Sequence, residues 1–271
     1  MNELYNSSWL TTARETVTSD SWAYDVMEFI PGSGEVYLKT IQTWYEEYPN
    51  ISEHLKNQLE NLDTASHLGG VNELFWWELM KKFGWKAQPI KVGSERRPDF
   101  HITGPSEFFC EVTTLNISKS DRTALECENS VELDHEATIY RALRKIAEDK
   151  KEQIDYGLKK GGASILVLFD YTTWSGLATN FSQIFQQKLF EADNGFSKLP
   201  ESLSAIVYIE KKIICARFRV SIERSAVFHN PYAEYPLSET VFFTMFCQHE
   251  KGREKVLPST SIKLWEGWFC L

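Results

Sequence analysis

The run RRPDFHITGPSEFFCEVTTL at 96–115 decides how the rest of the chain is read. Two strand-like pieces, PDFHIT (98–103) and EFFCEVTTL (107–115), flank the turn signal TGPSE at 103–107, and that spacing suits an antiparallel hairpin. Glu111 is the anomaly within it. It stands in an apolar strand behind two phenylalanines and a cysteine, where a carboxylate is costly to bury unless it is paired or holds a cation. Asp99 opens the other strand, so a hairpin brings the two carboxylates toward each other across the pair.

Upstream, KAQPIKV (86–92) reads as a third strand. Before it, VNELFWWELMKKFGW (71–85) places Val71, Leu74, Phe75, Leu79 and Phe83 on one wide apolar helical face. The Gly69-Gly70 pair precedes that helix, which sets Glu73 in its first turn, and Gly84 suits its C-terminal cap. Trp76 and Trp77 cannot face the same way on one helix, so one of them is expected to meet the N-terminal helices. Downstream, a long helix is expected over 134–158, ended by Gly161-Gly162. ASILVLFD (163–170) then reads as a strand buried on both faces. A helix at 180–192 follows, then strands LSAIVYIE (203–210) and IICARFRVSIE (213–223), a turn at HNPYA (229–233) and an aromatic-rich tail. Helix, three strands, helix, strand is a mixed α/β arrangement.

Residues 1–66 read as an acidic helical extension and 67–271 as the α/β domain. In the extension, EVYLKTIQTWYEEYP (35–49) puts Val36, Ile41, Trp44 and Tyr45 at helical spacing. ISEHLKNQLENL (51–62) follows, with Ser52 as N-cap and Leu55, Leu59 and Leu62 on one stripe. The formal charge of the 271 residues is −9, and residues 1–70 hold 11 acidic and 3 basic side chains, which leaves the rest at −1. Basic runs stand out at 81–97, with Lys91, Arg96 and Arg97 at its end, and at 211–224.

Hydrophobic residues at 42% and charged residues at 25% exclude a disordered chain, and no apolar run is long enough to span a membrane. Five cysteines without a C-x-x-C pair, and a start lacking a secretory pattern, point to reduced thiols in the cytoplasm. The six histidines show no zinc spacing. No Walker loop, dinucleotide fingerprint or G-x-S-x-G elbow occurs.

These residues resemble the PD-(D/E)XK nuclease superfamily, over about 70–170. The likeness is carried by GGVNELFWWELMKKFGWKAQPI, RRPDFHIT, FFCEVTT, the long helix and SILVLFD, and VFHNPYAEYPL (227–237) is similar to a later segment of such proteins. It is closest to prokaryotic members with a PDF strand and E-x-T in place of E-x-K. The resemblance implies a restriction-endonuclease-like α-β-β-β-α-β core. It makes Glu73 the first-helix acid and Asp99 and Glu111 the carboxylates for Mg²⁺ or Mn²⁺. The superfamily's lysine is replaced by Thr113, which can hydrogen-bond a water but carries no charge. Members with a displaced lysine can recruit it from the long helix. There the stripe Ile139, Leu143, Ile146, Ile154 is interrupted by Lys150, with Gln153 on nearly the same face to position phosphate or water.

The expectation is therefore a metal-dependent phosphodiesterase on nucleic acid, DNA ahead of RNA, in a prokaryotic defence or mobile-element context. Lys91, Arg96 and Arg97 would guide the backbone. The alternative is an inactive descendant that binds nucleic acid or protein. A regulatory protein partner and a homodimer are compatible with either, and the acidic helices would face away from the substrate or shield the basic faces. Each residue also has a plainer role: Asp99 as a turn residue, Glu111 facing solvent, Glu73 on the helix dipole, Lys150 snorkelling.

Overall fold

One strand organises the molecule because it has no polar face to turn to water. In the computed structural model all eight residues of Ala163–Asp170 are buried, so this strand must be covered by apolar layers on both sides. The structure describes residues 3–16, 33–91, 93, 95–116, 135–170, 181–191, 195–214, 217–238, 241, 262–263 and 268–270. Its helices are α1 Ser7–Thr16, α2 Ser33–Glu47, α3 Glu53–Leu59, α4 Thr64–Lys82, α5 His135–Arg144, α6 Lys151–Lys160 and α7 Phe181–Leu189. Its strands are β1 Lys86–Pro89, β2 Phe100–Thr103, β3 Phe108–Leu115, β4 Ala163–Asp170, β5 Leu203–Ile214, β6 Arg217–His229, β7 Ile262–Lys263 and β8 Trp268–Cys270.

The eight strands among the described residues share one mixed sheet, ordered β1-β2-β3-β4-β5-β6-β7, with β8 also beside β6. β1, β2 and β3 run antiparallel to one another, β3, β4 and β5 are parallel, and β5–β6 is antiparallel. The fold is mixed α/β, as the order of sequence patterns implies. Successive residues of β4 feed opposite layers. Ile165, Val167 and Phe169 join Phe100, Cys110, Leu74 and Phe75 under α4, while Leu166 and Leu168 join Ile139, Leu143, Ile146 and Ile154 under α5 and α6. Each large side chain so buried is worth roughly 1.5–3 kcal/mol of transfer free energy.

Several local readings are corrected. Asp63 caps α4 by accepting from Ser66 N at 2.9 Å, so the helix starts well before Gly69-Gly70. Those glycines sit inside it because α3 packs there: a Cβ on Gly70 would stand 3.1 Å from Gln58 and Leu59. Glu73 is therefore mid-helix and not in the first turn, which removes its helix-dipole role. The helix expected over 134–158 is interrupted by a π turn at Lys145–Asp149 between α5 and α6, and Gly161 (φ 73) closes α6. The strand expected at 213–223 straddles the β5–β6 hairpin instead. Val36 is 48% exposed, and the buried face of α2 is Tyr37, Ile41, Trp44 and Tyr45.

The N-terminal helices are part of the main core. Tyr37, Ile41, Trp44, Leu55 and Leu59 pack in the same apolar layer as α4 and the sheet. Trp76 is fully buried, while Trp77 meets Tyr48 edge-on at 5.4 Å between ring centroids. Cys110 is a buried free thiol, and Cys127, Cys215 and Cys247 lie outside the described residues. The side chains of the basic run 211–224 also lie outside them. No helix among the described residues is long and apolar enough to cross a membrane.

Candidate active site

The β2–β3 pairing sets the distance between the two sequence-predicted carboxylates. Phe100 pairs with Cys110, and continuing that register by one residue places Asp99 opposite Glu111. The backbone of Asp99 is tied to the end of β1, since Ile90 N donates to Asp99 O at 2.8 Å. Its side chain is tied to β3, because Val112 N donates to Asp99 Oδ2 at 2.7 Å. Asp99 thus belongs to the sheet framework and is no free turn residue.

Glu111 does not face solvent: it is 3% exposed. Alternation along β3 directs it to the layer beneath α6, where Lys150 Nζ donates to Glu111 Oε1 at 2.5 Å. The π turn positions that lysine. One extra residue in the turn carries Lys150 N back to Lys145 O at 3.0 Å, so α6 restarts with Lys150 over the sheet and not over solvent. Lys150 is therefore engaged with Glu111 and is no snorkelling residue. Gln153, in the first turn of α6, lies beside it. Glu73 enters from α4 and accepts from Tyr48 Oη at 2.6 Å.

These groups meet at one cleft of about 500 Å³. Glu73, Asp99, Glu111, Lys150 and Gln153 all line it. Lys91, Arg96 and Arg97 line it too, as exposed side chains of the β1–β2 connection. Arg97 Nη1 reaches Lys91 O and Arg96 Nη1 reaches Asp149 O, each at 3.5 Å, the long limit of a hydrogen bond. Thr113 is not brought to the cleft. It is buried at 6% exposure two residues further along β3 than Glu111 and does not line the cleft.

The opposite wall is what sequence reasoning missed. Tyr48, Asn50, Ser52 and His54, from the end of α2 to the start of α3, line the same cleft. The acidic extension therefore does not face away from it. Locally, Tyr48 reads as an apolar helix residue before Pro49 and Ser52 as a helix cap, which it is, accepting from Leu55 N at 3.1 Å. No local signal distinguishes a cap that also borders a site.

The electrostatics follow from crowding three acids in a partly dry place. Burial first, then the charge of Asp99, pushes Glu111 up to about 8 against the pull of Lys150. Burial and then Asp99 likewise push Glu73 up to about 8, although its bond from Tyr48 acts the other way. Asp99 is also raised by burial, moderated by the Val112 N–H and by Lys150 and His54. Lys150 loses some charge preference to burial but gains more from Glu111, and its pKa rises on balance.

Two buried acceptors here have no hydrogen-bond partner, Glu111 Oε2 and Gln153 Oε1. Glu111 Oε2 and the carboxylate of Asp99, which lines the same cleft, are the donor type that a hard divalent cation takes, one or two carboxylates with waters and phosphate oxygens completing the octahedron. Among the described residues no group of three or more His, Cys, Asp or Glu side chains is gathered closely enough to hold an ion unaided. An all-protein cage is thereby excluded for these residues, and the two-carboxylate kind of site is not. No protein-family model, no curated protein and no solved structure matches the chain.

Proposed function

We propose that this chain is a metal-dependent nuclease that hydrolyses phosphodiester bonds in nucleic acid, DNA ahead of RNA. The single observation that carries the reading is the convergence of Glu73, Asp99, Glu111 and Lys150 on one cleft with a cationic rim, Glu111 Oε2 being buried and unpartnered. The order α4-β1-β2-β3-α5/α6-β4, antiparallel through β3 and parallel from β3 to β4, supports a restriction-endonuclease-like core.

Asp99 and Glu111 would hold Mg²⁺ or Mn²⁺, which when bound neutralises phosphate charge and makes water a better nucleophile. Lys150 supplies the positive charge that Thr113 lacks, and its bond to Glu111 keeps it beside the reacting phosphate. Gln153 Oε1 is a buried acceptor without a partner, and a water or a nucleotide amine entering the cleft would supply the donor. Glu73, oriented by Tyr48, accepts from water on the α4 side. Lys91, Arg96 and Arg97 take neighbouring phosphates.

Plasmid nicking with added Mg²⁺ or Mn²⁺ tests the reading. Cleavage that disappears in Asp99→Ala and in Glu111→Ala is the expected result. No cleavage by the pure protein, with intact DNA binding, would leave the non-catalytic binding module as the function.

A further inference from the structure

We infer that the cleft takes a single nucleic-acid strand and refuses an intact duplex, because the turn between α2 and α3 forms its second wall. This rests on the nucleic-acid reading above and adds the substrate class to it.

The first support is size. A cleft of about 500 Å³ is of the size that holds a compact ligand, which is room for a nucleotide or two between its walls. The second is that the wall cannot readily swing aside. Tyr48 is 4% exposed, donates to Glu73 at 2.6 Å, and packs edge-on against Trp77 and Phe100. Leu55 and Leu59 anchor α3 in the main core, and opening the wall would expose all of these side chains to water.

The third is charge. One wall carries Lys91, Arg96 and Arg97 against the single carboxylate Glu95, while the other offers Asn50, Ser52 and His54. Beyond that second wall Glu46 and Glu53 are exposed, while Glu47 is paired with Lys81. A single strand keeps its phosphates on the cationic wall and turns its sugars and bases to Asn50, Ser52 and His54. A duplex seated on the same carboxylates carries a second line of phosphates, which falls against Glu46 and Glu53 and is repelled. Asn50 holds the turn with a positive φ of 57, so its amide is presented by backbone geometry that glycine would also adopt.

The test uses the full chain with Mn²⁺ and fluorescence anisotropy of a labelled DNA strand of about twenty nucleotides, alone or annealed to its complement. The single strand is expected to bind at least about tenfold more tightly, with affinity falling steeply as salt rises. Asn50→Gly and His54→Ala should each weaken single-strand binding several-fold at an unchanged melting temperature. The surface double variant Glu46→Lys/Glu53→Lys should narrow the gap by raising duplex affinity. Equal or tighter duplex binding, or no binding of either form, overturns the inference. Cleavage is read on the same samples: a strong single-strand preference without any product sinks the nuclease reading and leaves this one standing.

Discussion

Titrating Mn²⁺ into the protein should expel protons, in an amount set by the crowding of the three carboxyls. Glu73 and Glu111 titrate at about 8 without a cation, so each is about nine-tenths protonated at pH 7. An ion held by Asp99 and Glu111 needs Glu111 ionised, which releases close to one proton at pH 7, and nearer two if Glu73 follows. At pH 9 the same groups are already ionised and the release falls to roughly a tenth of a proton each. The apparent Mn²⁺ affinity should therefore rise about tenfold between pH 7 and pH 9, equivalent to roughly 1.4 kcal/mol. Calorimetry in two buffers of different ionisation enthalpy measures both quantities. The protons belong to the cluster as a unit, so only the total is read. A release below about a third of a proton at pH 7, or one unchanged at pH 9, would refute the reasoning. So would a titration that Glu111→Gln leaves unaltered.

The same shifts make a stability prediction whose sign is fixed. Carboxyls raised from 4.5 to about 8 by folding stabilise the protein below the lower value, and that contribution is lost as pH rises through about 8. The metal-free protein should thus lose on the order of a few kcal/mol between pH 5 and pH 8 in urea melts, a slope that Mn²⁺ flattens. A metal-free stability that climbs over this window would contradict it. Tyr48→Phe removes only the hydroxyl that donates to Glu73 and should cost roughly 1–2 kcal/mol by denaturant unfolding, with no change beyond a few tenths counting against the bond. Gly157→Ala should cost roughly 1–3 kcal/mol even though alanine favours helix, because its Cβ would stand 2.1 Å from Ser164 Oγ. Adding Ser164→Gly should recover part of that loss, and a fully additive double variant would show that the clash is not its cause.

Much of the framework is legible in the sequence. The apolar run at 163–170 reads as a strand covered on both sides, and all of it is buried. The Pro-Asp-Phe and Glu-Val-Thr pieces read as a hairpin with carboxylates facing each other, and the pairing of Phe100 with Cys110 continues to that arrangement. Lys150 stands out as the polar interruption of an apolar stripe, with Gln153 on nearly the same face, and the stripe is real because Ile146 and Ile154 on either side are 1% exposed.

The failures share a cause. Gly69-Gly70 reads locally as a helix break, since glycine costs a helix about 1 kcal/mol relative to alanine. It sits inside α4 because Leu59, from another helix, leaves no space for a Cβ. The resemblance puts Thr113 in the site, yet its side chain is buried at 6% exposure and does not line the cleft. The β5–β6 turn hid in a continuous run of strand-forming residues, where periodicity has nothing to mark a reversal.

By itself the sequence determined which elements form and which charged groups lie inside them, because burial periodicity and the cost of a lone carboxylate are local properties. Only the tertiary structure decided that Tyr48 holds Glu73, that a π turn brings Lys150 onto Glu111, and that the turn between α2 and α3 lines the cleft. Each of these depends on two elements far apart in the chain coming within hydrogen-bond distance. That is settled by how whole apolar layers pack, and no window of neighbouring residues carries it.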